Sequence, residues 1–220
     1  MRDPRTAPAI KICGLTDVNQ ALAIAAMGVD AIGVIGVPKT PRYLEEAARS
    51  NLFQALEQQV PQLLRVWVVA NPDDATLDRA LQGEGQPSVV QLHGSEDSDR
   101  CRELKQRYPN QRWWKALRIR QPEDVTRLDG YEQAVDGLLL DAWSPEQLGG
   151  TGHRLPLEWI ADAAPSLPWW LAGGISAEWI PELLSRVSPD GLDASSRLEI
   201  RPGWKDLSKV QALVQAVGER

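Results

Sequence analysis

The 220-residue sequence predicts an α/β chain folded as a single (β/α)8 barrel, the TIM-barrel architecture. Three observations carry this. Eight short apolar runs recur along the whole length, helical patterns lie between them, and no linker or low-complexity tract divides the chain. Eight strand–helix units average about 27 residues each, slightly compressed against the usual ~250-residue barrel. The structural alternative, a doubly wound sheet, usually has fewer strands and a G-x-G-x-x-G turn after the first. Here that turn reads Cys13-Gly14-Leu15-Thr16. The expected organisation is one domain over 1–220, with a short polar extension at about 1–8.

The strands are expected at 9–13, 31–37, 65–70, 88–92, 112–117, 137–140, 169–172 and 191–194. Most of these runs are apolar on successive residues, as strands of a parallel sheet buried on both faces should be. Between them, Leu44, Ala48, Leu52, Ala55 and Leu56 share one helical face. So do Ile180, Leu183, Leu184 and Val187, and so do Leu207, Val210, Leu213, Val214 and Val217. Weaker helical patterns run through 18–25, 77–81, 101–104, 125–128 and 157–164. Thr16, Ser95 and Ser176 stand where N-caps are expected. The nine tryptophans are expected to pack between barrel and helices.

Composition excludes several function classes. Lys+Arg total 24 against Asp+Glu 30, a net charge of −6, which argues against a general binder of nucleic acid or of acidic membranes. Two cysteines and two histidines are too few for a disulfide framework, a cysteine-based metal centre or a His-rich site, so no metal is expected. The N-terminal stretch lacks the apolar run of a signal peptide, and the most membrane-like stretch, 21–37, holds Asp30 and three glycines. The reading is a soluble, cytoplasmic protein.

In a barrel the active site forms at the C-terminal ends of the strands. The polar residues there are Cys13, the 39–42 loop with Arg42, Asn71, Gln91 with His93, Asp141, Gly173-Gly174, and Asp193 with Ser195-Ser196. Cys13 is either a thiol able to move a proton or an inert core cysteine. Asp141 directly follows a buried apolar strand, where a carboxylate is costly unless paired, solvated or used. It is either a general acid–base or a loop ion-pair partner. Arg42 could fork onto a carboxylate or be a solvated loop residue. Gly173-Gly174 and Ser195-Ser196 follow strands seven and eight, where barrels commonly hold a phosphate. Gly149-Gly150-Thr151-Gly152 is a weaker signal of the same kind.

Taken in order, Lys11-Ile12-Cys13-Gly14, Pro41-Arg42-Tyr43, Gln91-Leu92-His93-Gly94 and Leu140-Asp141 form the first half of a pattern. The run 149–152, Leu171-Ala172-Gly173-Gly174-Ile175, Gly191-Leu192-Asp193-Ala194-Ser195-Ser196 and Pro202-Gly203-Trp204-Lys205-Asp206 complete it. This ordered set resembles the phosphoribosylanthranilate isomerase family from about residue 10 to 217. The resemblance implies an Amadori rearrangement in tryptophan biosynthesis, with Cys13 as general base and Asp141 as general acid. It also implies Arg42 on the anthranilate carboxylate and Gly173, Gly174, Ser195 and Ser196 around the phosphate. Gln91, His93 and Gly150 are implied as further substrate contacts. It implies no cofactor, a small phosphosugar as ligand, and a monomer or homodimer.

Two departures stand out. Arg197 replaces the glycine usual after the two serines, and the end of strand two lacks the usual aromatic residues. The alternatives are a related histidine-pathway phosphosugar isomerase, an indole-forming barrel enzyme, or a catalytically silent barrel acting as a binding partner. The histidine-pathway isomerases resemble an aspartate pair at the ends of strands one and six, which Cys13 argues against.

Overall fold

The computed structural model describes residues 7–142, 154–162 and 165–218. Eight parallel strands close into a barrel in chain order: β1 (Ala9–Cys13), β2 (Ala31–Ile35), β3 (Leu64–Val69), β4 (Val89–Leu92), β5 (Arg112–Ile119), β6 (Gly137–Ala142), β7 (Trp169–Ala172) and β8 (Gly191–Ala194). Each coincides with an expected apolar run to within a few residues. Closure is completed by β1 pairing in parallel with β8, Lys11 opposite Asp193.

Successive residues of each strand point to opposite faces. On β1, Ile10 and Ile12 face outward into the core between barrel and helices, while Cys13 faces into the barrel. Apart from a charged layer under its mouth, the barrel interior is filled by apolar side chains such as Val66, Val68, Val89, Trp114, Leu139 and Trp170. Trp114 and Trp170 stack with centroids 4.9 Å apart. These two therefore correct the expectation that the tryptophans pack outside the barrel. Glycine makes their room: a Cβ at Gly191 would lie 2.3 Å from the Trp170 ring, and one at Gly137 would lie 2.9 Å from Trp114.

Outside lie α1 (Val18–Ala25), α2 (Glu46–Gln59), α3 (Asp74–Ala80), α4 (Ser98–Arg107), α5 (Ile180–Arg186) and α6 (Leu207–Gly218). Among the described residues two expected helices are absent as such. After β5 the chain runs through 3-10 turns at Pro122–Arg127 and Asp129–Tyr131, and after β6 through Leu157–Trp159. The spacing explains this. Val125, Leu128 and Tyr131 recur every three residues, the 3-10 period, and only a longer run separates three from 3.6. Of the stretch at 157–164, residues 163 and 164 lie outside the described residues.

Two of the expected caps are displaced. Asp17, not Thr16, caps α1 by accepting from Gln20 N at 2.8 Å, while the Thr16 hydroxyl donates to Gly203 O. Asp97, not Ser95, caps α4, and Ser95 Oγ donates to Asn71 Oδ1. In both cases the capping carboxylate stands immediately before the first helical residue, the position from which a side chain reaches the free N–H groups. Ser176 does precede the turn Ala177–Trp179, but no side-chain cap bond forms there.

After β8 the chain makes a short turn, Ser196–Leu198, then an antiparallel hairpin of β9 (Glu199–Arg201) and β10 (Trp204–Lys205) before α6. This hairpin places Glu199 and Lys205 beside the barrel mouth.

Candidate active site

Cys13 and Asp141 lie at the C-terminal ends of β1 and β6. In the closed order β7 and β8 intervene on one side, so the two residues stand three strand steps apart around the mouth. Both are buried, at 6% and 5% exposure. A Cβ at Gly33, opposite Cys13 in the β1–β2 register, would come within 2.7 Å of Sγ and 3.0 Å of Lys11 Cε. Only a glycine there leaves room for both side chains.

Beneath Cys13 lies a charged layer. Lys11, wholly buried, donates to Asp193 Oδ2 at 2.8 Å and to Gln91 Oε1 at 3.0 Å. Burial depresses the Lys11 ammonium, but Asp193 and Cys13 together outweigh it and hold the ammonium above its ordinary range. Burial also pushes the Cys13 thiol up, against the opposing pull of the Lys11 charge and its hydrogen bond. The resting group is thus a thiol, with a cation beside it that favours the thiolate.

His93 follows β4 and is buried, its Nε2 3.4 Å from Asp141 Oδ2 without hydrogen-bond alignment. Asp193 Oδ1 is the other buried polar atom of this group left without a partner. A second buried ion pair fixes the loop that carries His93. Lys115 Nζ donates to Glu96 Oε2 at 2.7 Å and to Gly94 O at 2.9 Å, and Glu96 Oε1 accepts from Asn71 N.

Arg42, in the loop after β2, is buried and already forked. Its Nε and Nη2 donate to Glu199 Oε1 and Oε2 at 2.9 and 2.7 Å. The fork expected to meet a ligand is therefore taken by the protein along one edge. A guanidinium carries five N–H donors, so the Nη1/Nη2 edge is left over for a second carboxylate. Lys205, also buried, donates to Glu199 Oε1 at 2.8 Å and lies 3.3 Å from Ser195 O and Oγ. Ser195 Oγ in turn donates to Cys13 O at 3.0 Å.

Gly173 and Gly174 directly follow β7 with consecutive positive φ values of 97° and 66°, a conformation that side-chain-bearing residues rarely adopt. Gly173-Gly174 and Ser195-Ser196 follow neighbouring strands, β7 and β8, at the barrel position where loops seven and eight commonly hold a phosphate. Cys13, Arg42, Gln91, His93, Asp141, Gly173, Gly174, Ser195 and Ser196 are all borne at the C-terminal ends of the strands or in the loops that follow them. Gly150 and its loop lie outside the described residues.

The model of the N-(5'-phosphoribosyl)anthranilate isomerase family matches residues 10–216. The chain belongs to this family. It is 43% identical to the Nostoc punctiforme protein named N-(5'-phosphoribosyl)anthranilate isomerase, over 96% of this chain and 99% of that one. The phosphoribosyl anthranilate isomerase structure from Thermotoga maritima superposes with a TM-score of 0.85 at 28% identity, covering 97% of this chain and 100% of that one. A structure of phosphoribosyl anthranilate isomerase in complex with reduced 1-(o-carboxyphenylamino)-1-deoxyribulose 5-phosphate gives a TM-score of 0.80 at 26% identity, with coverage of 97% and 100%.

Relative to the residues expected from sequence, this isomerase-family site holds several more. Lys11, Glu199 and Lys205 are charged groups that sequence reading left without a role, and Lys115 with Glu96 was not singled out. One signal was present. Lys11, Lys115 and Asp193 each interrupt a strand buried on both faces, and a charge placed there must have a partner.

Proposed function

We propose that this protein is an aldose–ketose isomerase of tryptophan biosynthesis, converting N-(5-phosphoribosyl)anthranilate to 1-(2-carboxyphenylamino)-1-deoxyribulose 5-phosphate. The observation that carries the reading is a buried thiol and a buried carboxyl, Cys13 and Asp141, at the same end of the barrel in a chain of this family. Asp141 gives its proton to the furanose ring oxygen as the bond from C1 to that oxygen breaks, and the nitrogen lone pair forms the Schiff base. Cys13, once its resting thiol has given its proton to solvent and left a thiolate beside the Lys11 cation, then takes the proton from C2, and the C–H electrons neutralise the iminium. The resulting enol tautomerises to the ketone, so C2 is oxidised and C1 reduced within one molecule. Both steps are proton transfers between side chain and substrate, and the reading assigns no cofactor.

The substrate carries two anionic ends. Arg42 meets the carboxylate with its remaining edge, and the Gly173-Gly174 and Ser195-Ser196 loops meet the phosphate. Gln91 and His93, buried beside Lys11 and Asp141, contact the sugar between them. The ligand of the solved relative, with a carboxyphenyl group at one end and a phosphate at the other, fits this two-anion layout. Among the described residues no helix is long and apolar enough to cross a membrane.

The test follows the fluorescence of phosphoribosylanthranilate generated in situ, with the product identified by mass and retention. Consumption with formation of the deoxyribulose phosphate is expected. A folded wild-type protein that leaves the substrate untouched overturns the reading.

A further inference from the structure

We propose that Glu199 is the positioning residue of this site: it aims Arg42 at the substrate carboxylate and ties that subsite to the phosphate loop through Lys205. The proposal rests on the reading of Arg42 as an anion-binding residue. Glu199 accepts four hydrogen bonds, three of them on one oxygen. Oε1 accepts from Arg42 Nε, Lys205 Nζ and Gly203 N, at 2.9, 2.8 and 3.1 Å, and Oε2 accepts from Arg42 Nη2 at 2.7 Å. A carboxylate held by three residues at once, two of them cations, is a fixed part of the frame.

The charges follow the same logic. Arg42 and Lys205 are two buried cations bound to one carboxylate, and Glu199 leaves them a net charge of +1. Without it, two desolvated cations would repel each other, and the arginine would have no reason to hold one orientation. Steric confinement acts with the charge. A Cβ at Gly14 would come 2.6 Å from Arg42 Cδ, so the arginine stem lies against the backbone next to Cys13. Glu199 pins the head of that side chain and Gly14 seats its stem. Lys205 carries the same carboxylate on to Ser195, whose hydroxyl is bonded to the Cys13 carbonyl. One residue of the hairpin therefore sets the spacing between the carboxylate subsite, the phosphate loop and the strand end that bears the proposed base.

The test compares two ligands by calorimetry: the reduced carboxyphenylamino deoxyribulose phosphate and its phenyl counterpart lacking the carboxylate. In wild type the carboxylate ligand binds more tightly. In Glu199→Gln that preference falls by about tenfold or more, the loss expected for a misaligned charge-assisted contact. In an Arg42→Ala background Glu199→Gln changes the preference no further, whereas a general structural defect would weaken binding of both ligands in either background. Should Glu199→Gln fail to fold, Glu199→Gln/Lys205→Met restores the net charge of +1 and is expected to fold with the preference still lost. A preference preserved in either folded variant overturns the proposal, as does an equal effect of Glu199→Gln with and without Arg42. If wild type itself shows no preference, the Arg42 reading fails, and the proposal with it.

Discussion

Replacing Lys11 by Met removes the cation from the buried layer beneath Cys13 and leaves Asp193 in place. Asp193 Oδ2 loses its 2.8 Å donor and Oδ1 has no partner to begin with. Breaking one side of a buried ion pair costs about 3–5 kcal/mol. The penalty carries a pH signature. Burial already raises the Asp193 pKa, with Lys11 the largest opposing influence, so the variant's carboxyl is raised further. A group whose folded pKa lies above its unfolded value, about 3.9 for aspartate, loses stability as pH rises toward the folded pKa. Between those two values the loss grows by about 1.4 kcal/mol per pH unit, so Lys11→Met should be nearest wild type in mild acid and weakest at pH 8. Removing both charges in Lys11→Met/Asp193→Leu should recover most of the loss, since a buried pair replaced by apolar groups is often neutral. Urea denaturation of wild type, Lys11→Met, Asp193→Leu and the double variant at about pH 5.5 and 8 measures this directly. A single-variant loss under about 1 kcal/mol at pH 8, or a double variant worse than either single, would refute the buried-pair reasoning.

Other consequences are equally direct. Burial raises the Cys13 thiol, so in a Cys101→Ala background iodoacetamide should label it with a midpoint above about 8.5, and Lys11→Met should move that midpoint higher still; a midpoint below the free-thiol value would contradict the geometry. Lys115→Met strands Glu96 in the loop that carries His93 and should cost about 3–5 kcal/mol by denaturant midpoint. Gly191→Ala forces a Cβ against the Trp170 ring and should cost about 1–3 kcal/mol with a shift in tryptophan fluorescence; an unchanged midpoint would mean the barrel floor can give way.

The strands were legible because a parallel barrel writes continuous apolar runs, and β1 begins and ends at the residues the pattern picked out. Cys13 and Asp141 stood out as candidates because strand ends in a barrel are where polar residues are conspicuous. The helices after β5 and β6 were not. Val125, Leu128 and Tyr131 are too few to tell a three-residue period from 3.6, and tertiary packing settled the matter. The caps were misplaced because Thr16 and Asp17, or Ser95 and Asp97, are all favourable capping residue types, and the backbone decides which one reaches the free N–H groups. Arg42 was visible as a candidate, but its partner lies 157 residues away on a hairpin that no local pattern announces. Long-range charge pairing of this kind is invisible to periodicity, although the buried lysines at 11 and 115 hinted at it.

The most direct test of the proposed proton transfers is the kcat/KM of Cys13→Ala and Asp141→Asn on phosphoribosylanthranilate, with thermal melting measured alongside. A positioned acid or base contributes about 10²- to 10⁴-fold, so each variant should lose at least that much while melting within a few degrees of wild type. A folded Cys13→Ala or Asp141→Asn that turns over within tenfold of wild type would contradict the assignment of base and acid.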